Sequence, residues 1–424
     1  MRQNIWIWNH YATNMFFDQA GRHYSFAENL IKKGYNPTIF CASTNHFSDT
    51  HIDTKGSEYS VDSVNNIPFV FINTPNYKGN GKKRIVNMFS FFRELLKTSK
   101  EYAKLYGNPD VIIASSVHPL TLVAGINAAK KFGIPCICEV RDLWPESIVA
   151  YGSLRRNSII ARLLYQGEKW IYKSADKIVF TMEGGKDYIV DQKWDTESGG
   201  PIYLSKVQHI NNGVDLKKFN YNKKIHIVYD EDLDNPDTFK VIYTGSIRRV
   251  NNVRSIIDAA IEVQKLEYED VKFIIYGDGN DREYLEKYCT ENKICNVVFK
   301  GFIEKKKIPY ILSKSDLNII HFEQNKIKKY GASLNKLFEY FASGKPILSD
   351  CRFGYELIEK YGAGVVVDNA DAKLLAKKIY EIKNMNEDEY LTLCNNALRA
   401  ADDYDFMNLT NRLINVIEGV NQYE

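Results

Sequence analysis

Three absences narrow the possibilities before any motif is considered. No apolar run approaches the roughly 20 residues that a membrane-spanning helix needs. The first residues, MRQNIWIWNHY, also lack the long apolar core and small-residue cleavage site of a secretory leader. A cytoplasmic chain is expected on these grounds, either free or peripheral on the inner face of the cytoplasmic membrane. Cysteine is present but carries no pattern: the seven residues are odd in number and scattered, and Cys136 and Cys138 merely alternate along an apolar run. They read as reduced core thiols, neither a disulfide framework nor a metal site. Charge of one sign is missing as well, since a formal net charge of +3 excludes bulk nucleic-acid binding and leaves basic function to local patches. No short-period repeat is present.

What the chain does have is length and alternation. At 424 residues it exceeds one ordinary core, so two domains are expected. Short runs rich in Val and Ile (NIWIWNH, PTIFCAS, DVIIAS, PCICEV, KIVFTM, then FKVIYTG, KFIIYGDG, NVVFKGF, LNIIHF, KPILSD, GVVVD) alternate with amphipathic segments. That pattern predicts an α/β protein of two doubly wound units with parallel sheets. The polar stretch around NKKIHIVYDEDLDNPDT is read as a linker. The resulting division is a first domain over 1–220, a linker over 221–238, a second domain over 239–404, and a C-terminal helix over 405–424 packing back toward the first domain. The DED triplet at Asp230–Asp232 is read as solvated loop.

Ligands of such sheets bind at the carboxyl edge of the strands, with anions at the N-termini of the following helices. Four loops there stand out. After the first strand comes NHYATNMFFDQAGRHY, where Gly21 turns the backbone into a helix. EVRDLWPES gathers Arg141, Asp142, Trp144 and Glu146 in one irregular turn. YTGSIRRVNN places Gly245, Arg248 and Arg249 between strand and helix. In the fourth, YGAS leads into SLNKLFEYFASG, where a step of about 100° per residue puts Leu337, Phe338 and Phe341 on one side and Asn335, Lys336 and Glu339 on the other. Pattern alone would make Glu339 part of a solvated face, paired with Lys336. YGDGN suggests a dinucleotide fingerprint but lacks its third glycine.

These stretches, in order and over nearly the whole chain, resemble the retaining glycosyltransferases of family 4, of GT-B fold, and within them the bacterial capsule and O-antigen enzymes that include N-acetylfucosamine transferases. The segments carrying the resemblance are GRHYSFAENLIKKGYNPTIF, EVRDLWPES, HINNGVDLKKF, YTGSI, IIYGDG, VVFKGF and SLNKLFEYFASGKPIL. It implies two Rossmann-like domains facing across a cleft. It also implies transfer of a sugar, with retention, from a nucleotide donor, UDP-linked, to a lipid-linked saccharide acceptor, without metal or other cofactor. Glu339 would accept hydrogen bonds from the ribose hydroxyls. The amides near Ser333, Leu334 and Asn335, with Lys336, would meet the diphosphate; Gly245, Gly21 and Phe302 complete the implied donor set. His10, Tyr11, Arg22, His23, Trp144 and Glu146 form the implied acceptor set, with Asp142 and Arg141 as the catalytic pair.

Three positions depart from the family pattern. Gly331 stands seven residues before Glu339, where a second glutamate is frequent. Ser246 replaces a basic residue, leaving the phosphate charge to Arg248 or Arg249. Arg141 replaces the usual histidine before Asp142. Two other readings remain beside transfer: a UDP-sugar 2-epimerase of the same fold, and a non-catalytic nucleotide-sugar-binding subunit.

One segment suggests a membrane partner. In GKKRIVNMFSFFRELLKTSK, residues Ile85, Met88, Phe89, Phe92 and Leu96 form a helical stripe that Phe91 is expected to widen. Lys82, Lys83, Arg93, Lys97 and Lys100 lie on the adjoining face, so residues 82–100 are expected to touch anionic lipid.

Overall fold

The computed structural model describes the chain apart from residues 1, 2, 47, 49, 78, 80, 267, 269, 323, 324, 369, 370 and 422–424. It divides into two compact units, residues 1–211 with 406–424, and residues 212–405.

The first unit is built on an eight-stranded sheet: β1 Asn4–Trp8, β2 Asn36–Ala42, β3 Tyr59–Val64, β4 Ile67–Ile72, β5 Val111–Ser115, β6 Cys136–Val140, β7 Lys177–Phe180 and β8 Val207–His209. The order is β3-β4-β2-β1-β5-β6-β7-β8, parallel except that β3 runs antiparallel to β4. Central strands such as β5 and β6 are buried along their whole length, which is why they read as unbroken apolar runs. The β3–β4 hairpin turns on Asn65 and Asn66, both at positive φ, the conformation a two-residue hairpin loop requires. Its outer strand, YSVDSV, is polar and half-exposed, so no apolar run marks it.

The second unit holds β9 Phe239–Thr244, β10 Val271–Tyr276, β11 Val297–Gly301, β12 Leu317–Ile320, β13 Ile347–Ser349 and β14 Gly364–Val366. All are parallel, in the order β11-β10-β9-β12-β13-β14. The reversal of strand order beside β9 sets the carboxyl ends of β9 and β12 at the switch point where such sheets take ligands.

The stretch 221–238 is not a linker between the units. It lies within the second, where it carries the end of helix Leu216–Ile225 and the turn Glu231–Asp234. The acidic triplet is anchored: Lys300 Nζ lies 2.8 Å from Asp230 and 2.5 Å from Asp232, and Lys272 also pairs with Asp232. The final helix, Phe406–Asn421, belongs to the first unit, where Phe406 meets Phe26 edge-on at 5.6 Å.

The helix Lys82–Tyr106 forms as its pattern requires, but Phe91 does not widen an outer stripe. It is fully buried and stacks on His10 at 4.2 Å. Lys97 pairs with Glu58. The large apolar side chains this helix leaves open are Ile85, Val86 and Phe89 in its first turns and Leu105 and Tyr106 at its end.

Candidate functional site

In the second unit, three neighbouring strands bring their carboxyl-end loops together. The backbone N–H of Gly245, just past β9, donates to the Tyr276 carbonyl at 3.0 Å, that of Ile247 to Asp278 at 2.9 Å, and that of Gly277 to Gly301 at 2.8 Å. A Cβ on Gly277 would stand 1.8 Å from the Gly245 carbonyl oxygen, and one on Gly279 would stand 2.1 Å from that of Ile247. The GDG sequence is therefore explained by close packing of adjacent loops, not by a dinucleotide.

Against this shelf lies the helix Asn335–Ser343. Its core face is Leu337, Phe338, Tyr340 and Phe341, and its C-terminus closes on Gly344 in the left-handed conformation. The Tyr340 hydroxyl accepts from the Thr244 amide at 2.8 Å, fixing the helix to the end of β9. Its N-terminus follows Leu334, with no side chain capping it, so the first amides point outward as unused donors. Ser333 is otherwise engaged, accepting from the Asn212 backbone amide and side chain at 3.1 and 3.0 Å.

Lys336 reaches back over the Gly245 loop. Its Nζ donates to the Tyr243 hydroxyl at 2.9 Å and sits 4.2 Å from that ring's centre. An added Cβ on Gly245 would come within 2.8 Å of this ammonium, which would have to swing aside, and the φ of +148° there itself favours glycine. Burial pushes the Lys336 amine down to about 8, against the smaller upward pull of Cys351 and Glu339. Glu339 lies one turn on, with 22 % of its side chain exposed and Lys305 Nζ 3.6 Å away. Phe302 stands open beyond β11. Arg248 and Arg249 are exposed with no acid bound to them among the described residues, while the Ser246 hydroxyl is held by Asn251 at 2.7 Å. This edge thus presents a carboxylate, an exposed aromatic ring, three cations and free helix amides.

Sequence reasoning missed a buried pair at the same edge, His321 after β12 and Asp350 after β13. Their side chains are hydrogen-bonded to each other, and Ser255 donates to Asp350 at 3.0 Å. HFE and LSDC, polar residues closing apolar runs, were the available signal.

The first unit corrects most of the acceptor assignments. Glu139, a lone acid inside β6, is buried and accepts from Arg22 Nε at 2.8 Å, His23 Nε2 at 2.9 Å and Ser115 Oγ at 2.8 Å. Arg22 Nη1 and Nη2 donate to the carbonyls of Asn211 and Ile210, at 2.5 and 2.8 Å. Burial alone would raise the Glu139 carboxyl, but Arg22 and then His23 hold it well below the usual carboxylate range. Burial lowers His23, so the ring is neutral at pH 7, with Nε2–H toward Glu139 and Nδ1 accepting from Asn9 at 2.9 Å. Arg22 and His23 are buried tie-points and cannot reach an acceptor.

His10 is equally enclosed: its Nδ1 lies 2.6 Å from His118 Nε2, and burial, with the neighbouring His118 ring acting in the same direction, holds it well below its ordinary value and so neutral. Tyr11 is buried with its hydroxyl accepting from Arg84 at 2.8 Å, and Glu146 is held by Arg156 and Tyr165, both at 2.6 Å. Gly21 adopts φ +106°, opening the helix Arg22–Lys32 beside Met15. What remains accessible past β6 is Arg141, Asp142 and Trp144. Asp142 is open to water, yet protein around it raises its carboxyl above the ordinary value, opposed by Arg141.

Comparison with known proteins agrees with this geometry. Residues 22–218 match the family model for Glycosyltransferase Family 4, and residues 229–399 match that for glycosyl transferases group 1. A probable glycosyltransferase of Pseudomonas aeruginosa, WbjE, is 24 % identical over 285 residues, 64 % of this chain and 66 % of its own. An uncharacterized glycosyltransferase of Methanocaldococcus jannaschii is 23 % identical over 224 residues, 51 % of this chain. The matched region spans about half of that relative's length, 52 %. Among solved structures, sucrose-phosphate synthase from Thermosynechococcus elongatus superposes with a TM-score of 0.71 at 15 % identity, covering 100 % of both chains. The Anabaena protein HepE, solved with UDP and glucose, gives 0.66 at 15 % identity over 99 % of this chain and 100 % of its own. At these identities the structures establish the shared fold.

Proposed function

We propose that this chain, which joins a family 4 glycosyltransferase domain to a group 1 glycosyl transferase domain in the GT-B fold, transfers a sugar from a UDP-linked donor to a hydroxyl of a lipid-linked saccharide, with retention at the anomeric carbon. The observation that carries the reading is Glu339, a carboxylate held off the core face one turn beyond an uncapped helix start and beside Lys336. Two carboxylate oxygens suit a vicinal diol, and the amides with Lys336, Arg248 and Arg249 suit a diphosphate. That HepE was solved with UDP and glucose supports the choice of base. The departing diphosphate takes the acceptor proton on the same face, Asp142 orients the acceptor, and three cations balance the developing charge, so no metal ion is part of the proposal. A role in bacterial capsule or O-antigen synthesis, and peripheral contact with an anionic membrane, belong to the same reading, because lipid-linked acceptors reside there. The deciding experiment is a screen of UDP-sugars against lipid-linked acceptors with detection of released UDP. UDP release that needs no acceptor, or none with any pair, would remove the reading.

Two further outcomes are expected at the donor site. Replacing Arg248 and Arg249 together by Gln should weaken UDP much more than uridine, since the arginines read only phosphate charge; equal losses would place them elsewhere. Lys336 predicts proton uptake. Burial pushes its amine down to about 8, and a bound diphosphate favours the ammonium, so at about pH 8.5 UDP binding should draw a proton to Lys336 from the buffer. At about pH 6.5 the amine is already charged and takes up none, leaving only the proton that the UDP phosphate itself sheds. Titration calorimetry in buffers of different ionisation heat measures this, and Lys336→Met should abolish it. Heats at pH 8.5 that do not depend on the buffer would contradict the assignment.

A further inference from the structure

An apolar surface that plays no part in the site lies on the helix Ile159–Ser174 of the first unit, between β6 and β7. Its inner face is Ala161, Ile171 and Tyr172, with Glu168 buried under the hydroxyls of Tyr172 and Tyr188 at 2.7 and 2.6 Å. That would leave a polar outer face in an ordinary domain helix. Instead the outer face carries Ile159 at 76 % exposure, Ile160 at 62 %, Leu163 at 68 % and Trp170 at 40 %. Projected at about 100° per residue, Ile159, Trp170, Leu163 and Ile160 fall in one outward stripe, and Arg162, Lys169 and Lys173 border it on one side. Such a patch on a water-facing helix marks an interaction surface.

Charge identifies the partner. From Ser147 to Ala175 the sequence contains Arg155, Arg156, Arg162, Lys169 and Lys173 against a single acid, Glu168, and that acid is buried. Arg155, Arg162, Lys169 and Lys173 have no acid bound to them among the described residues. The positive field continues onto the neighbouring helix Pro119–Phe132, where Lys130 Nζ lies 5.9 Å from the centre of the Trp170 ring. An apolar stripe bordered by unpaired cations, with a tryptophan among its members, fits an anionic lipid surface and repels a basic partner.

We infer that the helix Ile159–Ser174 is the element that docks this protein on an anionic bilayer, its stripe lying in the headgroup boundary. The inference extends the reading of a lipid-linked acceptor by naming the surface that meets the lipid, and it moves that surface away from residues 82–100. Position supports it. The helix returns from the end of β6 to the start of its parallel neighbour β7, so its Ile159 end stands at the carboxyl edge of the sheet, the edge that carries Arg141 and Asp142.

The test is sedimentation of the full chain with phosphatidylglycerol or phosphatidylcholine vesicles, at low and high salt, with UDP affinity measured on the same samples. Wild type should bind phosphatidylglycerol at low salt only. Ile159→Glu with Leu163→Glu should reduce the bound fraction about tenfold or more, and Arg162→Glu with Lys169→Glu should do the same, all with unchanged UDP affinity. Lys82→Glu with Lys83→Glu should have little effect. Fluorescence quenching by brominated lipid should be present in wild type and largely lost in Trp170→Phe. Three results would overturn the inference: no binding to anionic vesicles, binding unaffected by the helix variants, or a wild-type dimer that Ile159→Glu and Leu163→Glu dissociate while vesicles are ignored. Failure to bind UDP is a separate matter and would count against the donor site alone.

Discussion

Glu339→Ala should bind UDP about 30 to 160 times more weakly than wild type, a loss of about 2–3 kcal/mol for a pair of charge-assisted hydrogen bonds. Turnover should fall with affinity. Stability should not, because the side chain lies on the outer face of its helix and its ion pair, with Lys305 at 3.6 Å, is of the partly exposed kind that contributes little. Glu339→Gln keeps one acceptor oxygen without the charge and should fall between the two. Calorimetric affinity for UDP together with thermal unfolding of the apo protein separates binding from folding. Unchanged affinity for UDP would remove Glu339 from the site, and with it the main support for the proposed donor.

Glu139→Ala should have the opposite profile: a large loss of stability and an intact donor site. The substitution leaves the Arg22 guanidinium buried with its carboxylate partner gone, and removal of one member of a buried ion pair costs about 3–5 kcal/mol. The first unit should then unfold about 10 °C lower, while UDP affinity of the second unit persists at 25 °C. The acid side carries a sign. Because the folded carboxyl sits well below its unfolded value of 4.5, its contribution is fully present above that value and is lost as the pH falls toward the folded one. The stability gap between wild type and Glu139→Gln should therefore narrow below about pH 4. A gap that is absent at neutral pH would mean the cluster is not what holds this region.

Much of the architecture was legible because parallel strands buried on both faces must be apolar along their length. The runs quoted from the sequence are strands in the structure, and the helix around Glu339 buries the face its periodicity predicts. What was not legible depended on partners distant in sequence. Arg22 and His23 open the helix that follows the polar stretch after β1, a place where ligand-binding residues sit, and only their bonds to Glu139, 117 and 116 positions away, show them to be structural. The signal existed in CICEV, since a carboxylate inside a central strand requires a buried partner. Asp230 and Asp232 looked solvated because Lys272 and Lys300 come from strands β10 and β11, far along the chain. The outward stripe of the helix Ile159–Ser174 was hidden for another reason: apolar residues on two sides of one helix read as core.

The placement of the final helix has a consequence for how the chain is made. The final helix, Phe406–Asn421, completes a unit whose other residues are made before residue 212, while residues 212–405 form a unit without interruption. On a ribosome, the second unit has all its parts before the first does. Phe26 and its neighbours must wait, uncovered, until the second unit has been made and Phe406 follows it. The usual order in which an N-terminal domain folds first is thereby reversed at its last step, and the newborn chain carries an unfinished apolar surface for the whole time its partner domain is being built.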